Sequence, residues 1–276
     1  MNTYKEISMT SFPLVDLVWL SQKRTKILLS LLESPKTVEE LMKELEVDMR
    51  ALHLPLKELK EEGMITQEKE AFTLSNLGRI ISRNAKPAYE LTNLFEANIG
   101  YWTSRNLTDI PRPFARRLGE LGECELLEQD LSHMFQLPHK FIQSTSKTEH
   151  INSVFSFFYP EHLYLYNAVA KKGGKVSLVA TEGVCQTLQE NFPETFSEIS
   201  SFNKTEIYCL PDGISPPSFT VTDTTLLISF FNKSGRYDHQ DMLSSTQSAL
   251  EWGRDLFKYY KDRSSVRFNE IQNSRA

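Results

Sequence analysis

The sequence is short of the residues that announce catalysis, metal binding or a membrane. It has three cysteines in 276 residues. Cys124, Cys185 and Cys209 are odd in number and form no CxxC or Cys/His spacing, which argues against a disulfide framework or a zinc site and leaves each as a small buried apolar residue. No stretch reaches the roughly 18 unbroken apolar residues of a membrane span. The best N-terminal run, FPLVDLVWL, is broken by Asp16 and lacks a basic leader and a cleavage site, so a cytoplasmic protein with no membrane partner is expected. P-loop, GxGxxG and GxSxG signatures are missing. His133, His139, His150 and His162 have no metal-ligand spacing, so neither cofactor nor metal is expected. Basic residues are not in excess: 31 Lys and Arg against 36 Asp and Glu give a net charge of -5. That argues against a protein that coats nucleic acid through many phosphate contacts, but not against a dimer that reads one operator with a local patch.

What is present starts with helical periodicity. Leu14, Leu17, Val18, Leu20, Ile27, Leu28, Leu31 and Leu32 predict one long helix over 14 to 33, or two joined near Ser21, stopped by Ser34 and Pro35. Thr37 followed by Glu40 is a capping box for a second helix with Val38, Leu41, Met42 and Leu45 inward. Asp48 caps a third, with Leu52, Leu56 and Leu59 inward and Gly63 as its stop. Two short strands follow, Met64 to Gln67 and Ala71 to Leu74, joined by a charged turn at Glu68, Lys69 and Glu70. Three helices and a hairpin make a winged helix-turn-helix over residues 1–85.

The stretch TVEELMKELEVDMRALHLPLKELKEEGMI, followed by FTLSNLGRII, resembles the winged-helix domain of ArsR-like bacterial and archaeal repressors. The resemblance implies double-stranded DNA as partner. Candidate contacts are Lys36 and Thr37 at the start of the second helix, Arg50, His53, Lys57 and Lys60 on the third, and Lys69 in the wing. Pro55 lies inside the third helix, and a kink there is expected to re-aim Arg50 and His53. Residues 1–85 hold 12 Lys and Arg against 13 Asp and Glu, so a monomer should bind DNA feebly and a homodimer is expected.

Residues 86–140 read as a helical connector that packs between domains or across a dimer axis. Pro87 is expected to open its helix, and Ile110-Pro111 to break it. Arg105, Arg112, Arg116 and Arg117 cluster here, for phosphate contacts or for ion pairs with Glu120, Glu123 and Glu125.

Residues 141–276 alternate strand and helix signals: HINSVFSFF, PEHLYLYNAVAKKGG, KVSLVA, TEGVCQTLQENF, TEIYCL and SFTVTDTTLLISFF. The order predicts an α/β domain with a mixed or parallel sheet covered by helices. A last helix presents Leu250, Trp252, Leu256, Phe257 and Tyr260.

The segments LYNAVAKKGGKVSLVAT and FTVTDTTLLISFFNKSG resemble the phospholipase D-like fold, whose enzymes carry His-x-Lys-x4-Asp. With the aspartate at Asp223, Pro216 and Ser218 stand where the nucleophilic histidine and the phosphate-holding lysine should be, which removes the chemistry. YWTSRNLTDIP, FTVTD, GRYD and ALEWGRDLFKYY are similar to archaeal winged-helix regulators with a methanogenesis-regulator-type C-terminal domain. That family tends to show His-Asp where this chain has Arg105-Asn106.

The resemblances imply a non-enzymatic transcriptional regulator whose C-terminal domain senses a small-molecule effector or mediates assembly. A ligand is expected beyond the carboxyl ends of the strands, at Tyr159 and His162, at Thr181, Glu182 and Gly183, and from Asn232 to Asp238 with Arg236 between them. Two other classes stay open at this point: a protein-interaction adaptor, favoured by the acidic wing, and a phosphodiesterase-like enzyme.

Overall fold

A computed structural model describes residues 13–128, 136–211 and 213–267. The chain divides into two compact units, Met1–Tyr89 and Glu90–Ala276. The division falls inside one helix rather than in a linker, and most of the expected connector belongs to the second unit.

The first unit packs helices α1 (Leu14–Trp19), α2 (Gln22–Glu33), α3 (Val38–Leu45) and α4 (Met49–Glu61) with strands β1 (Lys36–Thr37), β2 (Ile65–Glu68) and β3 (Ala71–Leu74), and ends in the first turns of α5 (Asn76–Ala97). Of the two readings of residues 14 to 33, two helices is the one found. Ser21 starts the second by accepting from the Arg24 N–H at 3.4 Å. Thr37 and Glu40 form the reciprocal capping box, and the Asp48 carboxylate accepts from the Ala51 N–H at 2.8 Å. The three strands are antiparallel in the order β1-β3-β2. Leu17, Ile27, Leu31, Leu41, Leu52, Leu59 and Met64 form the core. Gly78 is required by close approach, because a Cβ there would lie 1.9 Å from the Met64 carbonyl oxygen.

Pro55 lies within α4 with its ring buried among the core residues. Pro87 does not open a helix: α5 runs through it from Asn76 to Ala97. Pro87 is on the exposed side, where the Arg83 carbonyl that loses its helical donor can be hydrated.

The second unit holds α6 (Ile99–Ser104), α7 (Arg112–Ala115), a 3-10 turn (Leu118–Leu121), β4 (Glu125–Glu128), α8 (His139–Thr145), β5 (His150–Phe155), α9 (Pro160–Lys171), β6 (Lys175–Thr181), α10 (Glu182–Asn191), α11 (Pro193–Ser201), β7 (Thr205–Leu210), β8 (Ser218–Val221), β9 (Leu226–Ser229), β10 (Gln240–Ser244), α12 (Gln247–Lys261) and β11 (Ser265–Arg267). The strands form one mixed sheet in the order β11-β7-β6-β5-β8-β9-β10-β4. β5, β6 and β7 are parallel and the other pairings antiparallel.

Alternation along the strands splits the core into two layers. Val154, Val179, Phe219, Ile228 and Met242 face α12 through Trp252, Leu256 and Tyr260. Ile151, Phe155, Val176, Leu178 and Ile207 face α9, α10 and α11. Trp252 donates its indole N–H to the Phe114 carbonyl at 3.2 Å, which pins α12 to α7.

Cys185 on α10 and Cys209 on β7 are joined as a disulfide, which corrects the expectation that none forms. The odd count leaves one free thiol, Cys124, and the other two meet because α10 packs back on the strand after the one it follows. The expectation at His133 lies outside the described residues. Among the described residues no helix is long and apolar enough to cross a membrane.

Candidate functional site

On α4 the buried residues Leu52, Pro55, Leu56 and Leu59 leave Arg50, His53, Lys57 and Lys60 exposed at offsets of three, four and three along the opposite face. The face is partly tied: Lys57 lies 3.8 Å from Glu61, and Lys60 donates to Gln67 at 3.1 Å. Exposed contacts of this kind are weak. Arg24 fixes α4 from below, donating to Glu58 at 2.7 Å and to the carbonyls of Leu17 and Asp16 at 2.7 and 3.0 Å.

Lys69 is exposed at the tip of the β2–β3 hairpin, with a left-handed φ of 55°. Two other candidates have local work: Thr37 caps α3, and Lys36 is held by Glu44, whose hydrogen bond raises its pKa above the ordinary value.

The second site follows from strand register. Ser218 on β8 pairs with Ser229 on β9, and the β9–β10 register, with Met242 opposite Ile228, sets Asp241 beside Ser229. Continuing the β5–β8 register places Phe155 next to Ser218. Phe155, Ser218, Ser229 and Asp241 therefore form one row across four strands. Two small serines between a ring and a carboxylate leave a trough. Leu137, Phe157, Tyr159, His162, Thr220 and Leu227 complete the walls of a cavity of about 10 Å³, roughly one water molecule.

Asp241 is 1% exposed. Its carboxylate accepts from the Ser229 hydroxyl and from the Tyr237 hydroxyl at 2.9 and 3.0 Å to its two oxygens. Burial pushes its pKa up to about 6, against the lowering effect of those hydrogen bonds. Tyr237 is in turn raised strongly, by burial first and by the adjacent Asp241 charge second. Its ring stacks on Phe157 with centroids 4.1 Å apart.

His162 accepts the Tyr159 backbone N–H at Nδ1, at 3.1 Å. Nδ1 also lies 3.3 Å from the Tyr159 carbonyl, and burial pushes the pKa down to about 3, so the imidazole is neutral. Burial also raises Tyr159 to about 12, and the Tyr159 hydroxyl lies 3.3 Å from His239 Nδ1.

Of the residues expected to hold a ligand, Tyr159 and His162 line the trough. Thr181 instead precedes α10 as its N-cap residue, with Glu182 and Gly183 in the first turn. The Asn232 side chain accepts from the backbone N–H groups of Ser234 and Arg236 and closes a loop. Asp238 pairs with Arg105. None of these six lines the trough.

Asp241 and Ser229 lie outside the expected ligand segments, whereas Tyr237 lies within the one from Asn232 to Asp238. A serine inside each of the apolar strands SFTV and LLIS is the sequence signal that could have found the site.

Asp223 sits at the far end of β8 from Ser218. Burial raises its pKa, but bonds from the Thr148 hydroxyl, the Glu149 and His150 N–H groups and the His150 ring outweigh it and hold the group below its ordinary range. The position aligned with a catalytic aspartate thus organises the loop entering β5. Among the described residues no group of three or more His, Cys, Asp or Glu is placed to hold a metal ion.

Residues 15–96 match the family model described as the N-terminal domain of the methanogenesis regulatory protein FilR1, and residues 134–263 match the model of its middle domain. The chain is similar to the methanogenesis regulatory protein FilR1 of Methanothrix harundinacea (strain 6Ac), with 21% identity over 214 residues, 76% of this chain and 48% of that protein. It thus spans about half the length of that relative.

Among solved structures, TrmBL2, described as an archaeal chromatin protein with a novel mode of DNA binding, aligns over 89% of this chain and 94% of its own, at 11% identity and a TM-score of 0.43. Polyphosphate kinase from Porphyromonas gingivalis aligns over 52% of this chain and 26% of its own, at 12% identity and a TM-score of 0.35.

Proposed function

We propose that this chain is a DNA-binding transcriptional regulator of archaeal type, without enzymatic activity. Its first unit acts as an ArsR-like winged helix and its second as a degenerate phospholipase D-like effector domain. The observation that carries the reading is the α4 face, on which Arg50, His53, Lys57 and Lys60 share one exposed side, with Lys69 at the hairpin tip. Matches to both domain models of a protein named as a regulator support it.

A second copy of the chain is the partner this reading requires, because one near-neutral first unit offers few phosphate contacts. Leu14, Val15 and Trp19 on α1, Leu20 just after it, and Leu77 and Ile80 on α5 are exposed apolar residues of the first unit available for that pairing. The effector site is the trough around Asp241. An effector acts only if it binds the DNA-competent and DNA-incompetent arrangements with different affinity. Against a phosphodiesterase stands Ser218, which offers the trough no positive charge and spends its hydroxyl on the Ser156 and Phe157 N–H groups.

The test is fluorescence anisotropy of the full chain on its own upstream DNA against scrambled competitor, across a salt series. The reading expects saturable binding that survives competitor. Replacing Arg50 and Lys57 by alanine should weaken it and lower the salt slope by about one per lost phosphate contact. Binding at no salt concentration, with or without candidate effectors, would place the chain among protein-interaction adaptors.

A further inference from the structure

The trough carries a buried carboxylate whose favourable charge neighbour, His239, stands outside the lining. Asp241 lies at its floor, and no lysine or arginine is among its lining residues. A carboxylate has about four acceptor sites. Two hydroxyl protons serve it, one from Ser229 and one from Tyr237, the latter shared between both oxygens. The other hydroxyls of the walls are occupied: Thr220 with Ser153 and Tyr166, and Ser218 with the backbone of residues 156 and 157. The free acceptor capacity of the site is therefore concentrated on one buried anion.

The rest of the wall is aromatic. Phe155, Phe157, Tyr159 and His162 surround the space, with Tyr237 stacked behind Phe157. A buried carboxylate costs several kcal/mol unless it is paired, and aromatic faces attract cations most strongly where water is excluded.

We propose that this trough binds a small ammonium-type cation, which donates N–H bonds to Asp241 and lies against the surrounding rings. An anion would meet the Asp241 charge with no lysine or arginine in the lining to offset it. A divalent metal wants six or more oxygens, and the hydroxyls that might supply them are committed elsewhere. Ammonium itself is water-sized, and methylammonium adds one methyl for the aromatic side. The regulatory role of this cation rests on the effector reading above; its chemistry does not.

The experiment is a titration of the purified full chain with ammonium, methylammonium, tetramethylammonium, potassium and sodium chlorides at constant ionic strength. Binding is followed by isothermal calorimetry and by the melting temperature, with operator affinity measured in parallel. Ammonium or methylammonium should bind at least about tenfold more tightly than potassium or sodium, and tetramethylammonium, which has no N–H to give Asp241, should not compete. Asp241→Asn, nearly isosteric, should abolish the preference while retaining the far-ultraviolet circular dichroism of the parent.

Equal response to all five salts, or a preference that survives in Asp241→Asn, overturns the proposal. The wild-type series decides it even where the variant fails to fold. Selective binding that leaves operator affinity unchanged supports the site and removes only its regulatory role; operator binding without ion selectivity removes the site and leaves the regulator.

Discussion

Arg105 and Asp238, 133 residues apart, meet at 2.5 Å with the guanidinium 1% exposed and the carboxylate 33% exposed. The same guanidinium donates to Gln240 and to the Phe230 carbonyl and lies 4.1 Å from the Tyr101 ring centroid. The pair ties α6 to the loop before β10, and that loop carries Tyr237 toward Asp241.

The asymmetry in exposure makes the two halves of this pair unequal. Asp238→Ala strands a cation with almost no access to water and should cost about 3–5 kcal/mol. Arg105→Met keeps much of the packing and leaves a carboxylate that water can reach, so about 1–3 kcal/mol is expected. Urea unfolding of both variants checks the order. Equal costs would mean that Gln240 and the Tyr101 face satisfy Arg105 without its acid.

Pro55 offers a gain. Alanine there restores a helical N–H for the Ala51 carbonyl, worth about 3 kcal/mol. It also removes two buried methylenes, about 1.6 kcal/mol, and frees the unfolded chain by up to about 1 kcal/mol. Pro55→Ala should therefore be more stable by roughly 0.5–1 kcal/mol by chemical denaturation. A loss of comparable size would show that the ring packs better in the first-unit core than its area implies.

Local signals in this chain were legible and distant ones were not. Thr37 and Glu40, or Asp48 and Ala51, are three residues apart, so their caps could be read from spacing. The alternation that sends Ile151 and Phe155 to one layer and Val154 to the other is equally local. The row Ser218, Ser229 and Asp241 depends on the register of three strands, which hydrophobic pattern does not specify. Pro87 misled because a helix tolerates proline where solvent can satisfy the freed carbonyl.

The Asp241 pKa gives stability a definite pH dependence. In the unfolded chain the group titrates near its ordinary value of 3.8, and in the native state near 6. Between those values the native state holds a proton that the unfolded state has lost, so raising the pH favours unfolding. The difference in unfolding free energy between wild type and Asp241→Asn should shift against wild type by about 2–3 kcal/mol from pH 3.5 to 7.5. His162 works in the opposite direction, losing stability as pH falls from 6.5 toward 3, but it is common to both proteins and cancels. A pH-independent difference would mean that Asp241 is hydrated.

Alkylation should separate the three cysteines. Burial lifts the Cys124 thiol to about 12, so the folded protein at pH 8 should take up almost no iodoacetamide. Denatured without reductant it should take up one equivalent, and after reduction three, by intact mass. Three equivalents without reductant would show Cys185 and Cys209 as free thiols.

Sheet order also has a consequence for synthesis. Among the described residues β4 pairs only with β10, so residues 125–128 leave the ribosome more than a hundred residues ahead of their partner at 240–244. At about 5–20 residues per second that is a wait on the order of 10 s. Throughout it the nascent chain carries an open strand edge beside the aromatic side chains of α6 and α7, which have yet to meet α12. The second unit cannot close until nearly all of it has been made, and in that interval it is a natural client for a chaperone.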